Sequence, residues 1–443
     1  MVGPPSYYLT AVLYLEATMK KISLILLAAA FAALGACAKK PAELVFSVGG
    51  APNEVEVWER IVKRFSDETG VKASLLRQPT DSDQRRQGLL VPLKSRKKDP
   101  DVFLADIAWI GQFAASGWLE DLGPYAAKDG TDLKPFWPKV LDFADRYNGQ
   151  LAALPVYVDA GLLYYRADLL KKYGYAAAPD TWPGLLAAAL KIQAGERATK
   201  PDFFGFVWQG AQYEGLVCDF LEFASSGEKA IAFKDGTVKL DTQENVRALT
   251  FMRDAILKEK ISPPNTYTEM KEEEVRTFFQ EGKAAFERNW PYAWGLHQQE
   301  DSPVKGKVGI AAMPRFPGGV SVSTLGGWHI AVSRFSDDKP GAWEFVKYVT
   351  SPSVQKELAL ELGWNPGRMD VYRDKQVLKA YPHFSRLEKI FANAYPRPNV
   401  PYYTQVSAIL QRHLNSALSG ASEPEAALKA AESEINEAAA RYR

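Results

Sequence analysis

The chain has 443 residues, 47% hydrophobic and 24% charged, which asks for two or three domains around sizeable cores. Lys plus Arg number 54 against 53 Asp plus Glu, and this even balance excludes a nucleic-acid groove, which needs concentrated positive charge. Only two cysteines are present, too few for a disulfide framework, and 11 Trp, 20 Tyr and 22 Phe are more than a disordered chain carries.

Met19-Lys20-Lys21 opens a short basic region, and residues 22–34 follow without a charge. A basic start, an apolar core and the small residues Gly35-Ala36 form the secretory pattern. The run of about 15 apolar residues falls short of the roughly 20 that span a bilayer. Leu34-Gly35-Ala36-Cys37 has the form of a bacterial lipobox, in which Cys37 becomes the lipid-modified first residue. Residues 1–37 are therefore expected to be a leader, with residues 1–18 of no evident role and translation able to begin at Met19. Cys218 then stands alone among Leu216, Val217 and Phe220 and reads as a small buried hydrophobe. The body is expected to be soluble, outside the cytoplasmic membrane, in the periplasm or on the membrane's outer face, and tethered through Cys37.

Residues 43–48 read as a strand, and Asn53 as the cap of a helix carrying Val55, Trp58, Ile61, Val62 and Phe65 up to Gly70. Strands at 71–76 and 101–105 alternate with helices at 84–93 and 109–116, the pattern of an α/β lobe with a mostly parallel sheet. Ligands bind beyond the carboxyl ends of such strands, where Gly49-Gly50 through Glu54 and Asp106 fall. Residues 150–157, with Pro155, read as a crossover out of this lobe. A strand at 162–165 and helices at 166–173, 182–192, 244–259 and 272–281 follow. A strand starts at 307–312 and another at 326–332, the latter a second crossover. Helices at 340–349 and 353–362 precede the break Gly363-Trp364-Asn365-Pro366-Gly367, a third crossover. Ser422 with Glu425 suggests a capping box before an alanine-rich final helix. Two lobes joined by several strands form a hinge with a cleft.

The segments VGGAPNEVEVW, DSDQRR, DPDVFLADIAWIGQFAASGWLEDL, ALPVYVDAGLLYYR, GFVWQGAQYEGLVCDF, KISPPNTYTEM, AAFERNWPYAW, SPVKGKVGIAAMP, TLGGWHIAVS, LGWNPGR and PRPNVPYY give the whole mature chain a specific resemblance. It resembles the maltose- and trehalose-binding lipoproteins of ABC sugar importers, within the extracellular solute-binding proteins. The resemblance implies a two-lobed periplasmic-binding-protein fold of class α/β with three hinge crossings. It implies lobes at 41–154 with 329–363 and at 158–325 with 369–443, joined by crossings at 155–157, 326–328 and 364–368. It implies that Glu54, Thr80, Arg85, Asp106 and Asp159 bond sugar hydroxyls. Tyr157, Trp290, Tyr292 and Trp328 would form walls, Gly327 would also contact the ligand, and Arg397 would reach in from the last segment. It implies partners as well: a disaccharide and two permease subunits whose ATPase works from the cytoplasm, with the binding protein a monomer.

The residue chemistry points the same way. Carboxylates accept hydroxyl hydrogens, Arg donates in a fixed fork, and flat aromatics cover sugar ring faces. Trp294 also suits a wall. Arg85 is favoured over Arg86, Trp58 and Trp118 read as packing residues, and Trp364 stands evenly between packing and cleft. His329 reads as packing or bonding locally, and the charge run at 271–274 as a solvated face. The mixture of Glu54, Asp106 and Asp159 with Arg85 and Arg397 suggests a neutral ligand. A glycoside hydrolase would need two carboxylates about 5 Å apart, or roughly 6.5–9.5 Å for inversion, and no spacing singles out such a pair. Phosphate-loop, H-E-x-x-H and G-x-S-x-G motifs are missing from the sequence, so neither an enzyme nor a cofactor or metal is expected. A carbohydrate-sensing lipoprotein would use the same cleft.

Overall fold

A computed structural model describes residues 43–224, 230–392 and 394–442. The leader with Cys37 and residues 225–229, 393 and 443 lie outside the described residues. The described residues from Leu44 onward form one compact unit.

β1 (Leu44–Gly49) is buried along most of its length and pairs in parallel with β2 (Ala73–Gln78) and β3 (Val102–Asp106). α1 (Pro52–Thr69) returns the chain from β1 to β2. Its stripe Val55, Val57, Trp58, Ile61, Val62 and Phe65 is buried, and Gly70 ends it at φ 75°. Ala51, not Asn53, caps this helix: Pro52 takes the first turn, and the Glu54 carboxylate accepts the Ala51 N–H at 2.8 Å. α2 (Ser82–Lys94) is capped by Asp81 and α3 (Ile107–Ala115) by Asp106, whose carboxylate accepts the Ala108 N–H.

β4 (Leu154–Ala160) runs into β5 (Leu162–Arg166), which belongs to a second sheet, with only Gly161 between them. A Cβ on Gly161 would lie 1.9 Å from Glu222 Oε1, so the turn has no room for a side chain. α4 (Trp182–Glu196), β6 (Phe204–Val207), α5 (Glu214–Ala224), α6 (Gln243–Leu257), α7 (Glu272–Gln280), β7 (Ala284–Asn289) and β8 (Val308–Ala311) follow. The second sheet has the order β8-β5-β7-β6. β9 (Ser323–Val332) then returns, and lies antiparallel to both β3 and β4. α8 (Lys339–Val349) and α9 (Pro352–Leu362) cover the first lobe. β10 (Ala394–Pro396) pairs with the start of β9. α10 (Tyr403–Leu418) and α11 (Pro424–Ala440) pack into the second lobe.

Two α/β lobes result, each with its own sheet and core. Phe46, Trp58, Phe65 and Phe345 centre one core; Trp182, Phe206, Phe223 and Leu410 centre the other. The first sheet is mixed rather than mostly parallel, because β9 enters from the other lobe and must run against β3. The final helix starts at Pro424 without a capping box, since the Ser422 hydroxyl pairs with Ser416 instead. β6, β7, α5 and α10 were not foreseen as elements. Among the described residues no helix is long and apolar enough to cross a membrane.

Three chain segments lie side by side where the lobes meet. β4 pairs with β9 from Leu154↔Ile330 to Ala160↔Leu325, with a register shift at Trp328 and His329. The third segment bonds to β4 through Val158 N–H to the Asn365 carbonyl (2.9 Å) and Gly367 N–H to the Val156 carbonyl (3.1 Å).

Candidate ligand cleft

The strand ends and helix starts of the first lobe face elements of the second across a cavity of about 390 Å³. All eleven residues expected at the site line it: Glu54, Thr80, Arg85, Asp106, Tyr157, Asp159, Trp290, Tyr292, Gly327, Trp328 and Arg397. Arg85, not Arg86, faces inward; Arg86 sits 3.7 Å from Asp83.

Each polar group is held by its element. Glu54, in the first turn of α1, accepts from Ala51 N–H through one oxygen and from Trp364 Nε1–H through the other (3.1 Å). Arg85 on α2 donates to the carbonyls of Pro79 (2.7 Å) and Thr80 (2.9 Å), and its guanidinium lies 4.4 Å over the Trp328 ring. The Thr80 hydroxyl donates to the Gly50 carbonyl. Asp106 is both a helix cap and a cleft residue: the oxygen that accepts Ala108 N–H also accepts from Arg397 at 2.8 Å. Arg397 donates with its other terminal nitrogen to Glu214 (2.8 Å), which also accepts from Tyr403 and Ser407. Gly327 has φ 137°, and a Cβ there would meet the Tyr157 carbonyl at 2.5 Å, so glycine lets the two strands close up.

The aromatic walls are braced. Tyr157 lies against Trp364 with ring centroids 4.0 Å apart, and Trp328 meets Trp109 edge to face. Arg288, buried and paired with Asp219 and Glu222, lies 4.0 Å beneath the Trp290 ring. Trp294 is not a wall; it packs against His383 away from the cavity. Trp364 is a cleft residue. His329 is buried and bonds Asp145, distant in sequence rather than local.

The run at 271–274 departs from the expected solvated face: Lys271, Glu272 and Glu273 are half-buried and form the far wall, and Glu274 alone stays exposed, at its edge. Glu272 accepts from Trp290 Nε1–H (3.4 Å), Glu273 accepts from the Tyr292 hydroxyl (2.6 Å), and Lys271 pairs across the cleft with Asp81. Glu214 and Cys218 on α5 were also missed as lining residues. The helical spacing of Glu214 and Cys218, one turn apart, was the available signal.

Asp159 differs from its neighbours. No hydrogen bond or ion pair joins its carboxyl to another described residue, although it lines the cavity beside Trp290. Burial, with the charges of Glu54 and Asp106, pushes its pKa up to about 8. Burial likewise raises Glu54 to about 7 against the pull of Arg85. The native state therefore holds protons that the unfolded chain releases at lower pH. Stability from these groups is present at acid pH and lost as pH rises through about 7 and about 8. The thermal midpoint of ligand-free protein should fall between about pH 5 and 9, and Asp159→Asn should flatten that fall. A fall of equal size in the variant would show that Asp159 takes no part.

Among the described residues, no group of His, Cys, Asp and Glu is arranged to hold a metal ion. The arrangement offers acceptors, fixed donors and flat apolar faces around one enclosed space.

Comparison with known proteins agrees with this geometry. The family model for bacterial extracellular solute-binding proteins matches residues 51–356. A probable ABC transporter-binding protein of Deinococcus radiodurans is 38% identical over 422 residues, covering 94% of this chain and 98% of that protein. The maltose-bound structure of T. maritima MalE3 is 40% identical with a TM-score of 0.84, covering 89% of this chain and 99% of that one. A Thermotoga lettingae solute-binding protein with bound α-D-tagatose is 27% identical, with a TM-score of 0.81, and covers 90% of this chain and 100% of that one. The chain belongs to the bacterial extracellular solute-binding proteins, a family that binds rather than transforms its ligands.

Proposed function

We propose that the cleft captures a neutral α-linked disaccharide, trehalose or maltose ahead of sucrose-like sugars or glucose, and delivers it to the permease of an ABC importer. The observation that carries this reading is the cavity itself. Its volume of about 390 Å³ suits a small molecule, and it sets several acids and two arginines among five aromatic rings. Such a lining satisfies many hydroxyls and covers more than one ring face. The maltose in T. maritima MalE3 supports the choice, and the name of the Deinococcus relative supports the importer role.

Neutrality needs more than the five charged residues first considered. Asp81, Glu214, Glu272, Glu273 and Glu274 also line the cavity, with Lys271 as the one further base. Most of these acids are occupied: Asp81 by Lys271, Glu214 by Arg397, Glu272 and Glu273 by aromatic N–H and O–H groups. Burial raises Asp159 to about 8 and Glu54 to about 7, so Asp159 mostly holds its proton at neutral pH and Glu54 does so about half the time. Bonds from neutral N–H and O–H groups cancel no charge, so the lining keeps more acids than bases, and the uncharged-ligand reading rests on its hydroxyl-accepting and ring-covering groups. Calorimetry against a sugar panel, after checking for carried-over ligand, tests the reading. Disaccharides bind and linear polyamines do not; tight binding of one monosaccharide alone would sink the two-ring claim.

The lobes, at 41–154 with 329–363 and at 158–325 with 369–443, move about the crossings at 155–157, 326–328 and 364–368. Ligand residues lie on both sides, so sugar favours the closed form through its differential affinity. Small-angle scattering should show a smaller radius of gyration at saturating sugar, and an unchanged radius would rule out closure. The protein works as a monomer outside the cytoplasm, anchored through lipid on Cys37. The intact mass of membrane-extracted protein should show a chain beginning at Cys37 with a lipid adduct.

A further inference from the structure

A charged cluster lies behind the second lobe's wall of the cleft rather than in it. Arg288 on β7 and Asp219 and Glu222 on α5 are fully buried, and none of the three lines the cavity. The Arg288 fork donates through Nε and one terminal nitrogen to the two oxygens of Glu222, at 2.7 and 2.6 Å. Its Nε also lies 2.9 Å from Asp219, and the other terminal nitrogen donates to Gln209 at 3.3 Å. These bonds lie in the guanidinium plane, which leaves its flat face for the Trp290 ring, 4.0 Å away.

A buried ion cluster adds little net stability, because desolvating its charges offsets their attraction. Its place in the fold gives this one another task. The Glu222 oxygen that receives the terminal nitrogen of Arg288 also accepts the N–H of Thr324 at 2.9 Å. Thr324 stands at the start of β9, and the hydroxyl of its neighbour Ser323 donates to the Gly161 carbonyl at 2.7 Å. Gly161 is the turn that ends β4, and a Cβ there would lie 1.9 Å from Glu222 and 2.6 Å from Arg288. Two strands that cross between the lobes, β4 and β9, therefore meet one carboxylate at their second-lobe ends. Asp159 and Gly326 face each other on these strands. A Cβ on Gly326 would lie 3.0 Å from the six-membered ring of Trp290 and 3.4 Å from the Asp159 Cβ. Trp290, Gly326 and Asp159 form one corner of the cavity, carried by segments far apart in sequence.

We propose that Arg288 is a positioning residue for the ligand: held by Glu222, it fixes the Trp290 ring relative to Asp159. A sugar ring lying on Trp290 then meets the Asp159 carboxyl without rearrangement of the wall. The inference rests on the sugar reading above. Bonds from the Tyr164 hydroxyl and to the Asn289 side chain hold the backbone of Trp290 but not its ring. The ring's Nε1–H reaches Glu272 only at 3.4 Å, a weak hold on its tilt. The guanidinium face is the firmer support. Lysine at this position would keep the charge but has neither the fork for Glu222 nor a flat face for the indole.

The test is a double-mutant cycle read by calorimetry, with maltose and trehalose as probes. Arg288→Lys should weaken sugar binding roughly three- to tenfold, the worth of one aromatic contact. Trp290→Leu should weaken it at least as much. Adding Arg288→Lys to Trp290→Leu should cost no further affinity, because the ring that Arg288 positions is gone. Glu222→Gln keeps the shape of its side chain while breaking the fork; it should show the same pattern, and it carries the cycle if Arg288→Lys does not fold. Ligand-free protein gives a second reading. Arg288→Lys should alter the near-ultraviolet circular dichroism of tryptophan, and that change should vanish when Trp290→Leu is present. Affinity losses that add in the double variant overturn the proposal and leave Arg288 a folding residue. Unchanged affinity in Arg288→Lys, or an unchanged tryptophan signal, overturns it too. If the unaltered protein binds neither sugar, the sugar reading falls, and the dichroism still decides whether Arg288 sets the Trp290 ring.

Discussion

Asp159→Ala is expected to weaken disaccharide binding by roughly 1–3 kcal/mol, the cost of leaving sugar hydroxyls unpaired, while leaving the ligand-free fold intact. Most cleft groups are already engaged by the protein. Glu54 holds Ala51 and Trp364, and Asp106 holds Ala108 and Arg397, so truncating either also disturbs structure. Asp159 has no such partner, and its place beside Trp290 is maintained at the cost of a half-buried, proton-holding carboxyl. A group kept in that condition has its natural partners in the ligand. Removing it strips acceptors from the bound sugar and leaves hydroxyls unpaired in a closed space. Calorimetry of the variant measures the loss, and its thermal midpoint should not fall. Normal binding by Asp159→Ala would show that its carboxyl faces the cavity without touching sugar.

The parts of the fold with a plain periodic signal were legible in the sequence. α1 shows its apolar stripe and its glycine stop, and β1 to β3 alternate with helices at ordinary spacing. What escaped was structure whose buried residues are polar. β7 reads Ala-Ala-Phe-Glu-Arg-Asn, and half of that does not look like a strand. Those charges are buried because each finds a partner from elsewhere: Glu287 meets His297, and Arg288 meets Asp219 and Glu222. Sequence distance hides such pairs.

The cleft was legible for a related reason and within the same limit. The eleven expected residues came from long ordered matches to a family, and all face one cavity. The run at 271–274 looked like solvent-facing charge because its partners, Asp81, Trp290 and Tyr292, lie 18 or more residues away. Asn53 was misplaced as a cap for a local reason: Pro52 already suits the first helical position, so the boundary moved back two residues.

Arg397→Met should cost about 3–5 kcal/mol of folding stability and also weaken sugar binding. Arg397 is 4% exposed and sits between Asp106 of the first lobe and Glu214 of the second, bonding each at 2.8 Å. Methionine fills much of the space but leaves two carboxylates buried without their shared cation. The penalty for an uncompensated buried charge exceeds the net worth of the original pair, so the loss should be large. Glu214 would keep Tyr403 and Ser407, whereas Asp106 would keep only the Ala108 N–H. Adding Glu214→Gln to the methionine variant should therefore restore part of the stability, and adding Asp106→Asn should restore more. Chemical denaturation of the single and double variants measures this. Costs that simply add would show that Arg397 is held in place by packing, with no electrostatic coupling to either acid.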